Sequence, residues 1–392
     1  MNVLETAETS VYASAIASVL PVLGAHRQAT EEARRVAPAS IAALKDAGLT
    51  RLLTPAGNGG HEASIRAQAL ACMGAARACP SASWVMMVCG AHNWVVGSFT
   101  AACREEVFED PGVLIAGTLA SQGHFAQADG GWLVSGRWQF CSGVDHAPWI
   151  MVGAARGEAV KGPANLHVVV PREAVQIDDT WHTLGMRGSG SKDILLDRVF
   201  VPEHRAEPTG RLFAGRSPHA LDHQTGVYML PVLPCLATQL AACVLGIARE
   251  VLALFIERTR VRPDIYSGKG SGAKAHSGAM QRRVAEASAE LTAAELLVGA
   301  NCDGFDDIAA RREPVDLPGL SRLHWQAAYA AELCRRAVEK LYSGAGAHAA
   351  YDDAVIQQYY RDVMMAARHA AVDIDGAAEL EGSLALGVGP QG

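Results

Sequence analysis

The chain has 392 residues, of which 49% are hydrophobic and 19% are charged, and its formal net charge is −7. This composition is that of a globular protein with a large core, and it excludes a disordered chain. The acidic balance and the lack of a long basic run argue against a nucleic-acid partner, because phosphate binding requires a basic face.

The cysteine pattern indicates a reducing compartment. Nine cysteines are scattered along the sequence without any C-x-x-C pair. This pattern is typical of buried thiols and not of a disulfide framework or a zinc site, so we expect no bound metal. The first ten residues contain acidic side chains where an export signal needs a basic start and an apolar core. We therefore predict a cytoplasmic protein.

Two stretches, 78–103 and 224–248, contain no Asp, Glu, Lys or Arg and are long enough to span a bilayer. The first contains His92 and Asn93, and prolines and polar residues interrupt the second. Helices that are apolar on all sides also occur at the centre of large bundles and in oligomers. We therefore predict buried helices and subunit contacts, with no membrane partner.

Residues 1–110 are predicted to form an N-terminal helical domain. Ala-rich segments with charges on one face are separated by glycines and prolines. Pro80 followed by Ser81 is a good helix start, because proline is tolerated in the first turn, and it opens the uncharged stretch 78–103.

Residues 111–210 are predicted to form a small antiparallel β-barrel or sandwich domain. The sequence changes here to short β-rich runs separated by glycines, with turns expected at 129–131 and 185–191. Five short strands at this spacing are typical of such a domain. The predicted strands are 113–120, 131–140, 149–155, 165–171 and 193–201.

After a polar linker at 203–226, long helical patterns return and predict a C-terminal four-helix bundle domain over 226–392. The predicted helices are 227–262, 278–303, 319–342 and 352–368. The fold class is therefore α+β, in the order helices, strands, helices. The glycine-rich segment 267–278 lacks key residues of a phosphate loop and predicts a surface loop.

The stretch GRWQFCSGVDHAPW at 136–149 combines features of a binding site. In this stretch and just before it, large apolar residues alternate with more polar ones, which predicts a strand with one buried face. The apolar residues are Trp132, Val134, Trp138 and Phe140. Ser142 and Gly143 follow, and a serine beside a flexible glycine can aim its hydroxyl at a planar ligand. An ordinary hairpin with a turn serine explains the same residues.

Three segments together resemble the acyl-CoA dehydrogenase superfamily, and the similarity extends over most of the chain. The family's flavin stretch, G-x-K-x-[WF]-I-T-N, is similar to residues 136–143. Its G-M-R-G-S/T element is present at 185–189, before the strand that ends at Pro202. Residues 337–362 follow the family's pattern of a helix, a glycine turn and a helix that ends in Arg-Asp.

Within that superfamily, the sequence resembles the two-component flavin monooxygenases. The F-x-S-G-x-D-H-x-x-W pattern at 140–149 is typical of that branch. The resemblance implies hydroxylation of a small aromatic or heteroaromatic molecule by O2 and reduced FAD or FMN, through a flavin C4a-hydroperoxide. It also implies a homotetramer, or a dimer. A separate NAD(P)H-dependent flavin reductase would supply electrons, because the chain contains no nicotinamide-binding unit.

The positions of the dehydrogenase base test this interpretation. An acyl-CoA dehydrogenase removes a proton next to a thioester carbonyl and needs a carboxylate over the flavin. In the family that carboxylate lies shortly after the Arg-Asp pair or on the first bundle helix. Here the first position holds His369. The second lies within residues 224–248, which contain neither Asp nor Glu, so both positions lack a carboxylate. An oxygenase is therefore predicted; a dehydrogenase with a relocated base and an inert flavin-binding scaffold are the alternatives.

The resemblance implies three catalytic residues. Ser142 is the candidate contact to flavin N5. His369 is the candidate for contact with the peroxide and for proton delivery, because imidazole titrates near neutrality. His92 is the candidate for orienting or deprotonating the substrate. Without the resemblance, His92 is explained as a core histidine bonded to a carbonyl, and His369 as an exposed residue after Arg368.

The resemblance also implies a set of cofactor contacts. Arg258 is similar to an arginine that reaches a flavin phosphate from a neighbouring subunit, and arginine suits phosphate geometry. The segment after it lacks the family's Phe-Gly pair. Gly344-x-Gly346 follows a helix and not a strand, so it is not a Rossmann turn. The predicted cofactor-binding residues are Ser142, Phe140, Cys141, Trp138, Thr118, Arg258, Gly344 and Gly346.

Overall fold

Capping residues and prolines set the starts of the N-terminal helices. The computed structural model describes residues 3–157, 163–264 and 270–389. Thr6 and Thr9 form a reciprocal capping box before the first helix, and Ser64 Oγ accepts from Ala67 N at 3.2 Å. Six helices result, namely α1 (Ala7–Ala25), α2 (Arg27–Ala33), α3 (Pro38–Asp46), α4 (Ile65–Ala78), α5 (Pro80–Val96) and α6 (Ala101–Val107).

Helix α5 begins at Pro80, as the sequence predicts, and is buried on nearly every side. It packs between the sheet and the C-terminal helices. Because its residues face other parts of the protein in all directions, an uncharged sequence suits this position. The helix carries both Trp84 and His92.

The five predicted strands are all present in one seven-stranded sheet. The strands are β1 (Ile115–Ala128), β2 (Gly131–Cys141), β3 (Trp149–Arg156), β4 (Asn165–Pro171), β5 (Gln176–Asp178), β6 (Lys192–Pro202) and β7 (Ala206–Pro208). Their order is β5-β6-β2-β1-β3-β4-β7. The two strands that the sequence did not predict, β5 and β7, have three residues each and form the edges, where short strands are common.

The prediction of an entirely antiparallel sheet is wrong at one pair, because β1 and β3 are parallel. β1 also continues to Ala128, beyond the predicted end at 120. Its register with β3 shifts between Thr118 and Gly123, just before the residues that pair with β2 in a hairpin. A Cβ at Gly123 would lie 2.0 Å from Trp138 Cζ2, so the strand needs glycine there.

The C-terminal helices form a bundle with one more member than predicted. The helices are α8 (Val232–Val261), α9 (Gly278–Arg311), α10 (Leu317–Gly344), α11 (Val355–Ala366) and α12 (Ile374–Ala385), preceded in the predicted linker by the short α7 (Thr209–Phe213). The extra helix α12 packs on α10, and Asp373 caps it by accepting from Gly376 N at 3.1 Å.

The order helices, sheet, helices agrees with the predicted α+β class. Division into domains at 1–110, 111–210 and 226–392 stays a prediction. Of the predicted loop 267–278, residues 267–269 lie outside the described residues, and Ala273–His276 forms a short 3-10 helix.

Each of the nine cysteines is buried and unpaired, in agreement with the sequence. Two described helices are long and apolar enough to cross a membrane by length and composition alone. The most apolar 18-residue segment of helix α8 has a mean hydropathy of 1.8, and 72% of this segment is buried inside the protein, as in a core helix. Helix α1 lies near the N-terminus, with a mean hydropathy of 1.2 and 22% buried.

Candidate active site

The end of β2 departs from regular strand geometry just before Ser142. The register between β2 and β6 shifts between Trp138 and Cys141, and Phe140 has φ +65°. The alternation therefore breaks: Phe140 is 61% exposed, and Cys141 is buried. The prediction that Phe140 belongs to the buried face is wrong for this reason. A positive φ at an aromatic residue is strained, and such strain clusters at functional sites.

Ser142 lies at one end of a chain of buried hydroxyls. Its Oγ is 2.7 Å from Ser191 Oγ, which is 2.7 Å from Ser189 Oγ. Ser189 Oγ donates to the Met186 carbonyl at 2.7 Å. On the other side, Trp84 Nε1 donates to Ser142 Oγ at 3.1 Å.

The imidazole ring of His369 packs against the indole ring of Trp84. Its ring centroid lies 5.7 Å from that of Trp84, at an interplanar angle of 63°. Ser142, at the end of β2, and His369, after α11, therefore both contact Trp84. The sequence did not single out Trp84, although it lies in the uncharged helix that also carries His92.

The hydrogen bonds of His369 fix its tautomer. The residue is half-buried and caps the 3-10 turn Ala370–Val372, where its Nδ1 accepts from Ala371 N at 3.1 Å. Burial lowers the pKa of the His369 imidazole to about 4. The ring is therefore neutral at pH 7, and its proton is on Nε2. His369 is not the exposed side chain that the alternative interpretation expects.

Asp362 connects helix α11 to the loop that carries Ser189 and Ser191. Its Oδ1 accepts from Met186 N at 2.5 Å, and its Oδ2 is buried without a hydrogen-bond partner among the described residues. Burial raises the pKa of the Asp362 carboxyl to about 7. The sequence did not predict this anchor, although Asp362 ends the Arg-Asp pattern.

His92 is buried, and its Nδ1 donates to the Ile115 carbonyl at 2.9 Å. Nδ1 is therefore bonded to a carbonyl, as the alternative interpretation of His92 as a core histidine expects. Burial lowers the pKa of the His92 imidazole to about 4, so the ring is neutral and Nε2 is unprotonated. His167 on β4, which the sequence did not indicate, is buried nearby, and burial lowers its pKa to about 3.

The remaining residues predicted around the flavin ring lie in different environments. Trp138 has no exposed surface, and its Nε1 donates to the Gly153 carbonyl at 2.7 Å. Cys141 is equally buried, so neither side chain faces a ligand and both belong to the core. Thr118 is half-buried on β1, where its Oγ1 accepts from Ala120 N at 3.3 Å.

The Asp-His-x-x-Trp part of the branch pattern stabilises the loop after β2. Asp145 Oδ1 pairs with Lys192 Nζ at 3.0 Å, and the Arg205 guanidinium lies 4.9 Å from the Trp149 ring centroid. These contacts tie the segment after Ser142 to β6 and to the turn that follows it. Neither Asp145 nor Trp149 belongs to the chain of hydroxyls.

Of the predicted cofactor contacts, Arg258 lies near the end of α8, and Gly344 and Gly346 lie in the turn at the end of α10. Arg262 and Arg283, which were not predicted, contact this turn, and the three arginines with the turn are called the arginine cluster. Arg262 Nη1 donates to the Gly344 and Ala345 carbonyls at 2.9 Å each. Gly346 has φ +78°, and a Cβ there would lie 2.3 Å from Arg262 Nη2. In the described part of the chain, Nε of Arg258 and Nε of Arg283 are buried without partners.

The structure does not bring the arginine cluster and Ser142 together within one chain. Cys243 Sγ lies 3.4 Å from Ser83 Oγ, next to Trp84. Arg258 lies on the same helix as Cys243, about four turns and roughly 22 Å further along α8. The arginine cluster is therefore remote from the hydroxyl chain of its own subunit.

Comparison with known proteins extends these observations. The family described as Acyl-CoA dehydrogenase, C-terminal domain, matches residues 238–374. A pigment production hydroxylase of Rhodococcus sp. (strain ATCC 21145) is 35% identical over 371 residues, which cover 94% of this chain and 94% of that protein. The flavin-dependent monooxygenase, oxygenase subunit HsaA, of Mycobacterium tuberculosis is 31% identical over 100% of this chain and 99% of its own length.

A solved structure, that of XiaF from Streptomyces sp. in complex with FADH2 and glycerol, matches with a TM-score of 0.91 at 27% identity and covers 98% of each chain. Fold and matches define a protein of the acyl-CoA dehydrogenase superfamily. Within it, the chain belongs to the two-component flavin-dependent monooxygenases. The superfamily and the branch predicted from the sequence are confirmed.

Proposed function

We propose that this protein is the oxygenase component of a two-component system, which hydroxylates a small aromatic or heteroaromatic molecule with O2 and reduced flavin. One observation carries the proposal: His369, at the position where the resemblance places the dehydrogenase carboxylate, packs against Trp84, and Trp84 donates to Ser142. The relatives, a pigment production hydroxylase and a monooxygenase oxygenase subunit, support the same reaction class.

Residues at the end of β2 are proposed to hold the flavin ring. Ser142 Oγ has an unused lone pair for the N5 position, and Phe140 exposes an aromatic ring beside it. Thr118 is proposed as a contact from β1. When bound, reduced flavin supplies the two electrons with which one atom of O2 enters the substrate and the other leaves as water.

His369 is proposed to donate a hydrogen bond from Nε2. Because Ala371 N occupies Nδ1 and burial keeps the ring neutral, Nε2–H is a donor at pH 7. A donor held in this place can hydrogen-bond to an oxygen that gains negative charge. The edge of Trp84 keeps the imidazole oriented and excludes water from this side of the site.

His92 is proposed to position the substrate. The Ile115 carbonyl takes the proton on Nδ1, so Nε2 presents a lone pair. A phenol O–H or an indole N–H can donate to this nitrogen, and the depressed pKa keeps the nitrogen unprotonated at neutral pH.

We propose that Arg258, Gly344 and Gly346 bind the phosphate end of a flavin held by a neighbouring subunit, in a homotetramer or a dimer. The unpartnered Nε donors of Arg258 and Arg283 suit phosphate oxygens. The resemblance, in which such an arginine reaches the flavin of a neighbouring subunit, is the reason to propose a site shared between chains. A cytoplasmic location is also proposed, since it matches the buried, unpaired cysteines.

Coupled turnover tests the proposal. The purified protein is mixed with a flavin reductase, NADH, O2 and a panel of phenols and indoles, with FAD in one series and FMN in the other. We expect hydroxylated product in proportion to NADH for at least one substrate. Reduction of the bound flavin by an acyl-CoA thioester, with hydrogen peroxide and no hydroxylated product, would instead indicate a dehydrogenase. Binding of flavin without hydroxylation and without reduction by a thioester would indicate an inert flavin-binding scaffold.

A further inference from the structure

We infer that Ser189 and Ser191 are positioning residues that fix the direction of the Ser142 hydroxyl, so that toward a bound flavin Ser142 only accepts a hydrogen bond. The site then prefers reduced flavin to oxidised flavin. This inference rests on the proposed function, because it assigns the N5 position to the free side of Ser142.

The direction of the hydroxyl chain follows from its two ends. The Met186 carbonyl can only accept, so Ser189 Oγ must donate to it. A hydroxyl has one proton, so Ser189 accepts from Ser191. Ser191 has then used its own proton, and Ser142 must donate to Ser191.

Trp84 completes the assignment at Ser142. Indole Nε1–H can only donate, and it occupies one lone pair of Ser142 Oγ at 3.1 Å. Ser142 therefore donates once, to Ser191, and accepts once, from Trp84. One lone pair is left, and the hydroxyl has no proton left to offer a ligand.

This remaining lone pair distinguishes the two redox states of a flavin. N5 of a reduced flavin carries a hydrogen and donates, whereas N5 of an oxidised flavin only accepts. Reduced flavin therefore gains a hydrogen bond from Ser142, and oxidised flavin places two acceptors against each other. The same side chain thus favours the form that reacts with O2.

Backbone contacts keep the chain of hydroxyls in place before any ligand binds. Gly143 N donates to the Ser189 carbonyl at 2.9 Å. Asp362 Oδ1 accepts from Met186 N at 2.5 Å, which holds the residue whose carbonyl receives the last proton of the chain. The Ser142, Ser189 and Ser191 side chains are all buried, so water does not compete for their protons.

Anaerobic titrations with reduced and with oxidised flavin test the inference. In Ser191→Ala, the Ser142 proton loses its acceptor and can turn to oxidised N5. The ratio of the two dissociation constants, oxidised over reduced, is expected to fall about tenfold. For a two-electron couple, that change lowers the midpoint potential of the bound flavin by about 30 mV.

Further variants separate direction from packing. Ser191→Thr keeps the hydroxyl and should restore the wild-type ratio. Ser189→Ala frees the Ser191 proton to turn toward Ser142, so the ratio should fall here as well, even if Ser191→Ala does not fold. The control is Ser135→Ala, at a serine of β2, the strand that ends just before Ser142. Ser135 Oγ accepts from Arg198 N at 2.8 Å and lies outside the chain of hydroxyls. This variant should leave the ratio unchanged.

The outcomes distinguish this inference from the proposed function. If the wild type binds reduced flavin and hydroxylates a substrate, but both alanine variants keep or raise the ratio, the inference is overturned and the proposed function stands. If the wild type binds neither flavin form, both are overturned.

Discussion

Around Trp84, the hydroxyls of Ser142, Ser191 and Ser189 hydrogen-bond to one another inside a single chain. Around Arg258, two guanidinium nitrogens are buried without partners in the part of the chain that the structure describes. A buried polar group without a partner costs about 1–3 kcal/mol, so the second arrangement is complete only when something binds. The hydroxyl chain is therefore ordered by contacts within the protein, whereas we propose that the arginine cluster is a receptor for an anion.

The largest effect is expected at the reaction centre. His369→Ala removes the proposed hydrogen-bond donor, so coupled hydroxylation should fall by about 100-fold or more while reduced flavin still binds. Product and hydrogen peroxide are measured per NADH consumed. The exposed His124 on β1 supplies the control His124→Asn, which should keep full coupling. Unchanged coupling in His369→Ala would remove this residue from the mechanism.

The anchor of the hydroxyl chain predicts a pH dependence of stability. The Asp362 pKa is about 7 in the folded protein against an ordinary value of 3.8. A raised folded pKa means that the wild type loses stability as the pH rises through this window. Asp362→Asn does not titrate, so its stability relative to the wild type should rise by about 2–3 kcal/mol between pH 5 and pH 8.

Urea unfolding at several pH values measures this difference. Asp353→Asn, at an exposed carboxylate shortly before the same helix, is the matched control and should follow the wild type. A difference that stays constant between pH 5 and pH 8 would mean that Asp362 is ionised throughout, and that its bond to Met186 does not depend on protonation.

The arginine cluster gives the next effect. Arg258→Gln removes a charged donor from the proposed phosphate site, so reduced flavin should bind about tenfold more weakly. Arg260→Gln changes an exposed arginine on the same helix and should bind flavin normally. Equal affinities in the two variants would mean that the arginine cluster has no role in binding the cofactor.

The smallest effect concerns strain at the end of β2. Phe140→Gly replaces an exposed aromatic residue at φ +65° and should stabilise the protein without flavin by about 0.5–1 kcal/mol. The same variant should bind flavin more weakly. Phe200→Gly, at an exposed aromatic residue of β6 outside the positive φ region, should only lose stability. A destabilised Phe140→Gly would show that the ring contact with Trp181 outweighs the strain.

The sequence was sufficient where the local pattern decides the structure. Short β-rich runs separated by glycines predicted all five longer strands, and Pro80 marked the start of α5. Parallel pairing of β1 with β3 was not predicted, because evenly spaced short strands favour hairpins. Helix α12 was missed, since Gly376 and Gly382 interrupt the helical pattern.

The site was predictable only in part. Ser142 and His369 were predicted together from the resemblance, and both contact Trp84. Trp84 itself could not be identified, because its role depends on contacts with residues far away in the sequence. Phe140 was placed on the wrong face, since a register shift between strands leaves no signal in the alternation itself.

The bond between Met186 N and Asp362 Oδ1 joins residues that are 176 positions apart. During synthesis, the loop that carries Ser189 and Ser191 leaves the ribosome long before its anchor is made. Contacts across such long stretches form late in folding. A nascent chain can therefore complete its sheet while the Ser142 hydroxyl still lacks an anchored partner loop, and the reaction centre is among the last parts of the enzyme to mature.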